Sequence, residues 1–376
     1  MIKPFIKWPG GKTTELSIIH EHLPEDFNNY IEPFVGGGAC FFSLPKEAYG
    51  KAYLNDASEE LIGLYRYIQL ENTIFMENLQ AIWSFWCYFG AFSDRHYAAL
   101  RVLYDAFKTK PVKPSEGKAL VDAFVELRND EILSGVPEPL QIDESQFVKL
   151  LKDSLYTKLR NTKKNEGAKG DLPEADYGKN FEAGIKAGLY TYLRALYNRR
   201  SGLAVADEMH MALFFYLREF CYSSMFRYNR DGDFNVPYGG ASYNRKNFLQ
   251  KIDYLRSEAL QETMQAAMLY NMDFEAFLEA IETSADDFMF VDPPYDTEFS
   301  TYANNDFNLS DQKRLADYLL NVYKGRFMVI IKNTDFIYKL YNQEGIRILG
   351  FDKSYSVSFM DRNERAVNHL LIMNYA

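Results

Sequence analysis

The sequence predicts an α/β fold in which an open, largely parallel sheet is interrupted by a long helical insertion. Three observations carry that reading. Short apolar runs alternate with amphipathic helical patterns as far as about Leu70 and again after Ala259, the rhythm of strands joined by helical crossovers. Between about Asn72 and Tyr222 the strand signal disappears and helical periodicity takes over. The chain has 376 residues, 47% hydrophobic and 25% charged, which is globular composition and long enough for a large single domain or two ordinary ones.

The elements follow in order. "TTELSIIHEHL" reads as a helix, "YIEPF" as a short strand running into glycines, and "ACFFSLPKEAY" as a helix. "KAYLND" is a second strand and "ASEELIGLYRYIQL" a strongly amphipathic helix. The insertion holds helical patterns in "FSDRHYAALRVLYDAFK", "ESQFVKLLKDSLYTKLR", "FEAGIKAGLYTYLRALY" and "DEMHMALFFYLREFCY". Two stretches read as loops: the surroundings of "KPVKPSEGK", and "RNTKKNEGAKGDLPEADYGKN", rich in Lys, Gly and Asn. The alternating rhythm then returns with strand "AAMLYNMDF", helix "EAFLEAI", strand "DFMFVDPPYD" and helix "LSDQKRLADYLLNVY". Strand "RFMVIIKN", helix "DFIYKLYNQ" and strands "IRILGF" and "VNHLLIMNY" close the chain. One domain is thus expected from residues 1–75 with 260–376, and a second from 76–259.

Composition narrows the function. Cys40, Cys87 and Cys221 are an odd, widely spaced set, which predicts reduced thiols in a cytoplasm and no metal site. No run of about 18 apolar residues predicts a membrane span, and the N-terminus lacks signal-peptide character. The formal net charge of −10 points away from indiscriminate nucleic-acid binding but allows a local basic cleft. The 28 Tyr and 29 Phe suit a protein that stacks bases.

Near the N-terminus, "IKWPGGKT" ends like a phosphate-cradling loop. A Walker loop would need glycine at position 6, where Ile6 stands, and Trp8 and Pro9 are bulky where amides must wrap a phosphate. A second motif, "IEPFVGGGACFF", is a strand ending in an acid and a glycine-rich turn. Gly36, Gly37 and Gly38 let backbone approach a ligand closely, at the strand end where open α/β sheets bind. Phe41 fills the place of a dinucleotide fingerprint's third glycine. About twenty residues on, Asp56 ends the second strand, where an acid accepts from ribose hydroxyls; it could equally cap the following helix.

The third motif is Asp292-Pro293-Pro294-Tyr295, after the apolar "FMFV". An exocyclic amine on an aromatic ring is a poor nucleophile, because its lone pair is delocalised. Two acceptors, the Asp292 carboxylate and the Pro293 carbonyl, can draw its hydrogens and pull the nitrogen toward tetrahedral geometry. Prolines fix such a turn at little entropic cost, and Tyr295 offers a ring face for a base. A structural turn with a tyrosine lid is the plain alternative. Further upstream, "YSSMFRYNRDGDFNVPYGG" interleaves Arg227 and Arg230 with Tyr222, Phe226, Tyr228 and Tyr238 around the Asp231-Gly232 hairpin signal. Arg227 is the leading candidate for reading guanine through O6 and N7; Asn229, Asn235 and Pro237 shape the hairpin or touch the backbone.

Together "FIKWPGGK", "EPFVGGG", "LND", "DPPY" and the hairpin resemble the Dam-type, alpha-group (D12 class) N6-adenine DNA methyltransferases, in motif identity and in order. The likeness covers both ends of the chain and is thin from about Gln80 to Arg200. It implies a Rossmann-like S-adenosylmethionine methyltransferase sheet with a mainly helical target-recognition insertion carrying a β-hairpin. It also implies methyl transfer from S-adenosylmethionine to the N6 amine of an adenine flipped out of double-stranded DNA, with no metal. In that reading Trp8, Lys12, Phe34, Gly36, Gly38, Asp56 and Asp292 line the cofactor pocket, and Asp292, Pro293, Pro294 and Tyr295 form the catalytic turn. Tyr222, Arg227, Asn229, Arg230, Asn235, Pro237 and Tyr238 engage DNA. A cognate restriction endonuclease is a further expected partner. Two departures bear on specificity: Ser223-Ser224 replaces the Asn-Gly usual in members that read GATC, and Gly240 stands where a basic residue is common. RNA adenine or a protein amide as substrate, and a catalytically silent DNA-binding module, stay open at this point.

Overall fold

The computed structural model describes residues 2–109, 113–225, 227–294, 307–354 and 366–375. They fold as two units, Met1–Leu70 with Leu255–Ala376, and Glu71–Tyr254. The sequence puts the joints after residues 75 and 259; the units meet after 70 and 254.

The first unit is built on strands β1 (Asn29–Glu32), β2 (Lys51–Asn55), β3 (Ala267–Tyr270), β4 (Phe288–Val291), β5 (Arg326–Lys332), β6 (Arg347–Ser354) and β7 (Ala366–Met373). They form one sheet in the order β3-β2-β1-β4-β5-β7-β6. The first five are parallel, with Ile31 opposite Tyr53 on one side and Met289 on the other. β7 runs antiparallel between β5 and β6. This is a Rossmann-like sheet of the kind the sequence resemblance implies.

The N-terminal segment adds helices α1 (Leu16–Glu21), α2 (Ala39–Ser43) and α3 (Glu59–Gln69). The second unit holds α4 (Thr73–Arg95), α5 (Tyr97–Thr109), α6 (Pro114–Glu126), α7 (Asn129–Ser134), α8 (Glu144–Lys169), α9 (Glu174–Asn198), α10 (Arg200–Leu203), α11 (Asp207–Phe220) and α12 (Phe248–Leu255). The C-terminal segment contributes α13 (Glu258–Gln265), α14 (Phe274–Ala280), α15 (Leu309–Asn321) and α16 (Asp335–Tyr341).

All four residues of β4 are buried, as expected of a parallel strand covered on both faces. Met289 and Val291 face a core with Phe277 of α14, Leu315 and Leu319 of α15 and Ile337 of α16. Phe288 points the other way, 5.3 Å from Phe27 and 6.1 Å from Tyr30. The chain order reverses between β1 and β4, whose loops leave the same edge in opposite directions. Such a switch point is where open α/β sheets receive ligands.

In the second unit α9 packs on α8, α4 and α11. Trp86 of α4 lies 4.7 Å from Phe220 of α11, and Phe147 of α8 lies 5.2 Å from both Phe85 of α4 and Tyr192 of α9. Four local expectations change, the first being that Pro114–Lys118, in a stretch read as a loop, open helix α6. The helix expected over 39–49 stops at Ser43, because Leu44 precedes Pro45 and takes extended backbone. The helix expected over 92–108 breaks at His96, which leaves helical geometry (φ −100°, ψ 15°) with its ring between Glu131 and Arg128. Most of the stretch read as a loop over 160–180 is helical: α8 continues to Lys169. Its tail is pinned by Glu166, whose buried carboxylate accepts from the Tyr104 and Tyr177 hydroxyls and the Leu172 amide. Among the described residues no helix is long and apolar enough to cross a membrane.

Candidate active site and recognition hairpin

The N-terminal motif folds as a tight turn. Gly11 N–H donates to Trp8 C=O at 3.1 Å, and Gly10 takes φ +78°, a left-handed value that glycine adopts without strain. No helix starts at Lys12-Thr13; α1 begins at Leu16, so the amides of a Walker loop are not arranged here. Instead Lys12, buried, turns its Nζ onto the Gly10 carbonyl (2.7 Å) and onto Asp292, 2.5 Å from each carboxylate oxygen. This pair ties the first residues of the chain to the turn after β4.

Asp292, Pro293 and Pro294 follow β4 directly. The Pro294 carbonyl accepts from Gln312 Nε2 at 3.0 Å, a fully buried side chain of α15 that braces the turn and that no sequence motif marks. Tyr295 lies outside the described residues.

The glycine turn after β1 sits at the neighbouring strand end. Gly36 (φ +49°) and Gly38 (φ +69°) both take left-handed backbone. A Cβ on Gly36 would stand 3.0 Å from the Trp8 ring, and one on Gly38 would stand 2.7 Å from the Tyr65 hydroxyl. The space these glycines save is therefore filled by the protein's own Trp8 and Tyr65. The Tyr65 hydroxyl also donates to the Gly36 carbonyl (3.1 Å).

Asp56 does not cap α3; Ser58 does, accepting from Leu61 N–H. Asp56 takes the Ser58 amide on Oδ1 (2.9 Å) and the Gly36 amide on Oδ2 (3.0 Å), which latches the end of β2 to the glycine turn. Burial raises its pKa while those amides pull it back. Asn55, buried beside it, donates to the Pro33 and Met272 carbonyls and accepts from Met272 N–H, so one side chain ties together the ends of β1, β2 and β3. Phe34 is half-buried, 5.5 Å from Phe274 and 5.4 Å from Phe307.

Glu32, the acid ending β1, joins this candidate site, though the sequence marks it only as a strand end. Burial pushes its carboxyl well above the usual carboxylate range; the Tyr30 hydroxyl (2.9 Å) counters this and the charge of Asp292 adds to it. Glu32, Asp56 and Asp292 thus form an acidic row on strand ends β1, β2 and β4. Among the described residues no group of His, Cys, Asp and Glu could hold a metal ion.

In the second unit the expected hairpin forms without a continuous ladder. Its arms meet at two bridges, Tyr228 with Phe234 and Cys221 with Tyr238. The turn is Arg230-Asp231-Gly232, closed by Gly232 N–H to Asn229 C=O (3.1 Å) with Gly232 at φ +82°. Asn229 spends its side-chain oxygen on the Asp231 and Asp233 amides (3.0 and 2.8 Å), which makes it the turn's organiser. Arg227 and Arg230 are exposed; Arg227 Nε donates to Asn235 Oδ1 at 2.9 Å. Tyr222 is 48% exposed, and its N–H donates to the Pro237 carbonyl. Tyr238 differs from the expectation of a base-facing ring: it packs 5.6 Å from Trp86 and 5.7 Å from Tyr190, and its hydroxyl donates to Asn244. Burial drives its pKa far up. Ser223 and Ser224 both hold left-handed backbone (φ 54° and 50°), a conformation that Asn and Gly adopt more cheaply. Phe226 lies outside the described residues.

Comparison with known proteins gives the family. Residues 8–96 and 152–355 match the family described as D12 class N6 adenine-specific DNA methyltransferase. The chain is 27% identical over 390 residues to the Type II methyltransferase M.MjaIII of Methanocaldococcus jannaschii, covering 100% of this chain and 99% of that one. It is 26% identical over 377 residues to the Type II methyltransferase M.CviBI of Paramecium bursaria Chlorella virus NC1A, covering all of both. A DNA adenine methylase of Vibrio cholerae is 24% identical over 381 residues, covering 99% of this chain and 95% of that one. With its motifs in family order and a match over most of its length, the chain belongs to the D12 class N6 adenine-specific DNA methyltransferases, enzymes that place a methyl group from a donor on adenine in DNA.

Proposed function

We propose that the methyl donor is S-adenosylmethionine and that the adenine is flipped out of duplex DNA into the turn after β4. The observation that carries this is the placement of Asp56 and Asp292 at strand ends flanking the glycine turn at the switch point, with Glu32 buried between them and Lys12 paired to Asp292. Such a placement suits a cationic donor bearing a ribose diol. Each Asp56 oxygen takes one backbone amide, so each keeps capacity to accept from a ribose hydroxyl. Trp8, Lys12, Phe34, Gly36 and Gly38 would line the remainder of the pocket. The donor supplies a methyl carbon activated by its sulfonium charge.

The chain's own contribution is acceptor geometry. Gln312 occupies the Pro294 carbonyl, so the acceptors for the amine hydrogens are the two groups before it, the Asp292 carboxylate and the Pro293 carbonyl. Asp292 must yield an oxygen to the amine, with Lys12 keeping its Gly10 contact. Tyr295 would stack on the base, worth about 1–3 kcal/mol, against a flipping cost of a few kcal/mol. In the second unit, exposed Arg227 reads bases, with Arg230, Tyr222 and Pro237 beside it. Arg227→Ala is expected to blunt discrimination among sites more than maximal rate; an unchanged methylation pattern would remove it as a reader.

RNA or a protein amide as acceptor is the competing reading, and the family match and the exposed hairpin arginines Arg227 and Arg230 favour DNA. Transfer of tritiated methyl from S-adenosylmethionine to duplex DNA, RNA and protein in parallel separates them: label in the RNA or protein sample alone would overturn the proposal. The Type II names of two relatives favour a restriction endonuclease with the same target as partner, and the free thiols of Cys40, Cys87 and Cys221 suit a cytoplasmic setting.

A further inference from the structure

Helix α9 carries a row of polar side chains four residues apart: Glu182, Lys186, Tyr190, Arg194 and Asn198. Residues spaced by four make one of a helix's natural surface ridges. Every member of this row is hydrogen-bonded to the second arm of the hairpin or to the turn after it. Asn198 Nδ2 donates to the Phe234 carbonyl and Asn198 Oδ1 accepts from the Phe234 amide, both at 3.0 Å. The Tyr190 hydroxyl and Arg194 Nη1 each donate to the Val236 carbonyl at 2.9 Å. Lys186 Nζ donates to the Asn244 carbonyl (3.0 Å) and pairs with Glu182 (2.6 Å), whose other oxygen accepts from Asn244 Nδ2 (2.8 Å). Asn244 Oδ1 in turn accepts from the Tyr238 hydroxyl (2.8 Å).

The pattern has a backbone logic. Asn229 and Asp233, and Arg227 and Asn235, bond across the two arms on either side of the Tyr228–Phe234 bridge. In an antiparallel pair the alternate residues, here Phe234 and Val236, then turn their amides and carbonyls outward. That outward edge would ordinarily need a third strand or water. α9 serves it with side chains. The Asn198 amide matches both polar groups of one residue, so a slip of the arm by one residue breaks both contacts.

We propose that Asn198 and Tyr190 are positioning residues that fix the register and tilt of the recognition hairpin, and thereby set how sharply the enzyme discriminates among DNA sequences. This rests on the hairpin being the reader of DNA. Both act through the backbone of the second arm, whose Asn235 bonds the Arg227 carbonyl and side chain on the first arm.

The test is steady-state methylation of a duplex containing the mapped target and of duplexes altered by one base pair, with Asn198→Ala, Asn198→Gln, Tyr190→Phe and Arg227→Ala. For Asn198→Ala, kcat at saturating duplex stays near wild type while KM rises. The kcat/KM ratio between target and altered duplex falls about tenfold, which is about 1.4 kcal/mol. Tyr190→Phe keeps the ring and removes one of two donors, so the ratio falls by about threefold. Asn198→Gln retains the amide and restores part of the ratio, and amide exchange at Phe234 quickens only in Asn198→Ala. Lowered thermal stability with an unchanged ratio in both Asn198→Ala and Tyr190→Phe would overturn the proposal, leaving the row merely structural. If Arg227→Ala also leaves the ratio unchanged, the hairpin is not the reader and both readings fall. If Arg227→Ala lowers it while Asn198→Ala and Tyr190→Phe do not, the positioning role alone falls.

Discussion

Asp292 is expected to serve chemistry and folding at once, and the two can be separated. Lys12 keeps 2% of its side chain exposed and Asp292 17%, with Nζ bonded to both carboxylate oxygens. Asp292→Asn preserves shape and removes the charge. Removing one partner of a buried pair costs about 3–5 kcal/mol, and the partial exposure of Asp292 argues for the lower end, about 3 kcal/mol. For a unit of this size that is a fall in Tm of about 6–12 °C. Turnover should fall by about a hundredfold to a thousandfold or more, the usual effect of losing a preorganised electrostatic group. Removing both charges, with Lys12→Met and Asp292→Leu together, should recover much of the Tm, because apolar replacements of a buried pair are often neutral, yet leave the enzyme inactive. Calorimetry and tritiated methyl incorporation read the two effects. Near-normal turnover in Asp292→Asn, or recovered activity in the double variant, would refute the assigned role.

Three further outcomes follow from the geometry. Asp56→Asn should weaken S-adenosylmethionine binding by about tenfold to a hundredfold, as expected for hydrogen bonds to a charged group, with little change in DNA affinity; calorimetric titration showing unchanged donor affinity would exclude a ribose role. Ser224→Gly should stabilise the second unit by about 1 kcal/mol, because glycine takes the left-handed backbone of that position without the Cβ penalty; a lower midpoint in urea would contradict this. For Glu166, burial alone would raise the carboxyl, but the Leu172 amide, the Tyr104 and Tyr177 hydroxyls and Lys108 hold it down to about 2. A carboxyl lowered on folding adds stability that is complete above its ordinary value near 4.5 and is lost as pH falls toward 2. Glu166→Gln should therefore be less stable than wild type at pH 7 and lose less between pH 5 and 2; parallel pH profiles would disprove it.

The sheet was legible because its strands are apolar runs with turn signals at their ends: "FMFV" before Asp-Pro-Pro and "YIE" before Pro-Phe need no tertiary information. The turns at the strand ends were legible for the same reason, since glycine and proline announce backbone geometry locally. What the sequence hides is partnership across distance. Lys12 and Asp292 stand 280 positions apart, and nothing in either motif says that they bond to each other. Gln312 is one polar residue in an amphipathic helix until the Pro294 carbonyl is placed against it. The stretch around Glu166 looks like a loop because its Lys, Gly and Asn favour solvent; it is helical because Tyr104 and Tyr177 bring hydroxyls to a carboxylate they cannot be seen to meet in sequence. Which hairpin aromatics face outward was equally hidden. Tyr222 and Tyr238 look alike in sequence, and only the packing of Trp86 and Tyr190 turns Tyr238 inward.

The most direct test is to incubate purified enzyme with duplex DNA and methyl-labelled S-adenosylmethionine, digest the product to nucleosides and identify the labelled one, with Asp292→Asn in parallel. Label in N6-methyladenine, at adenines sharing one flanking sequence, lost in Asp292→Asn, is the expected result. Label in another nucleoside, or equal incorporation by the variant, would contradict the account.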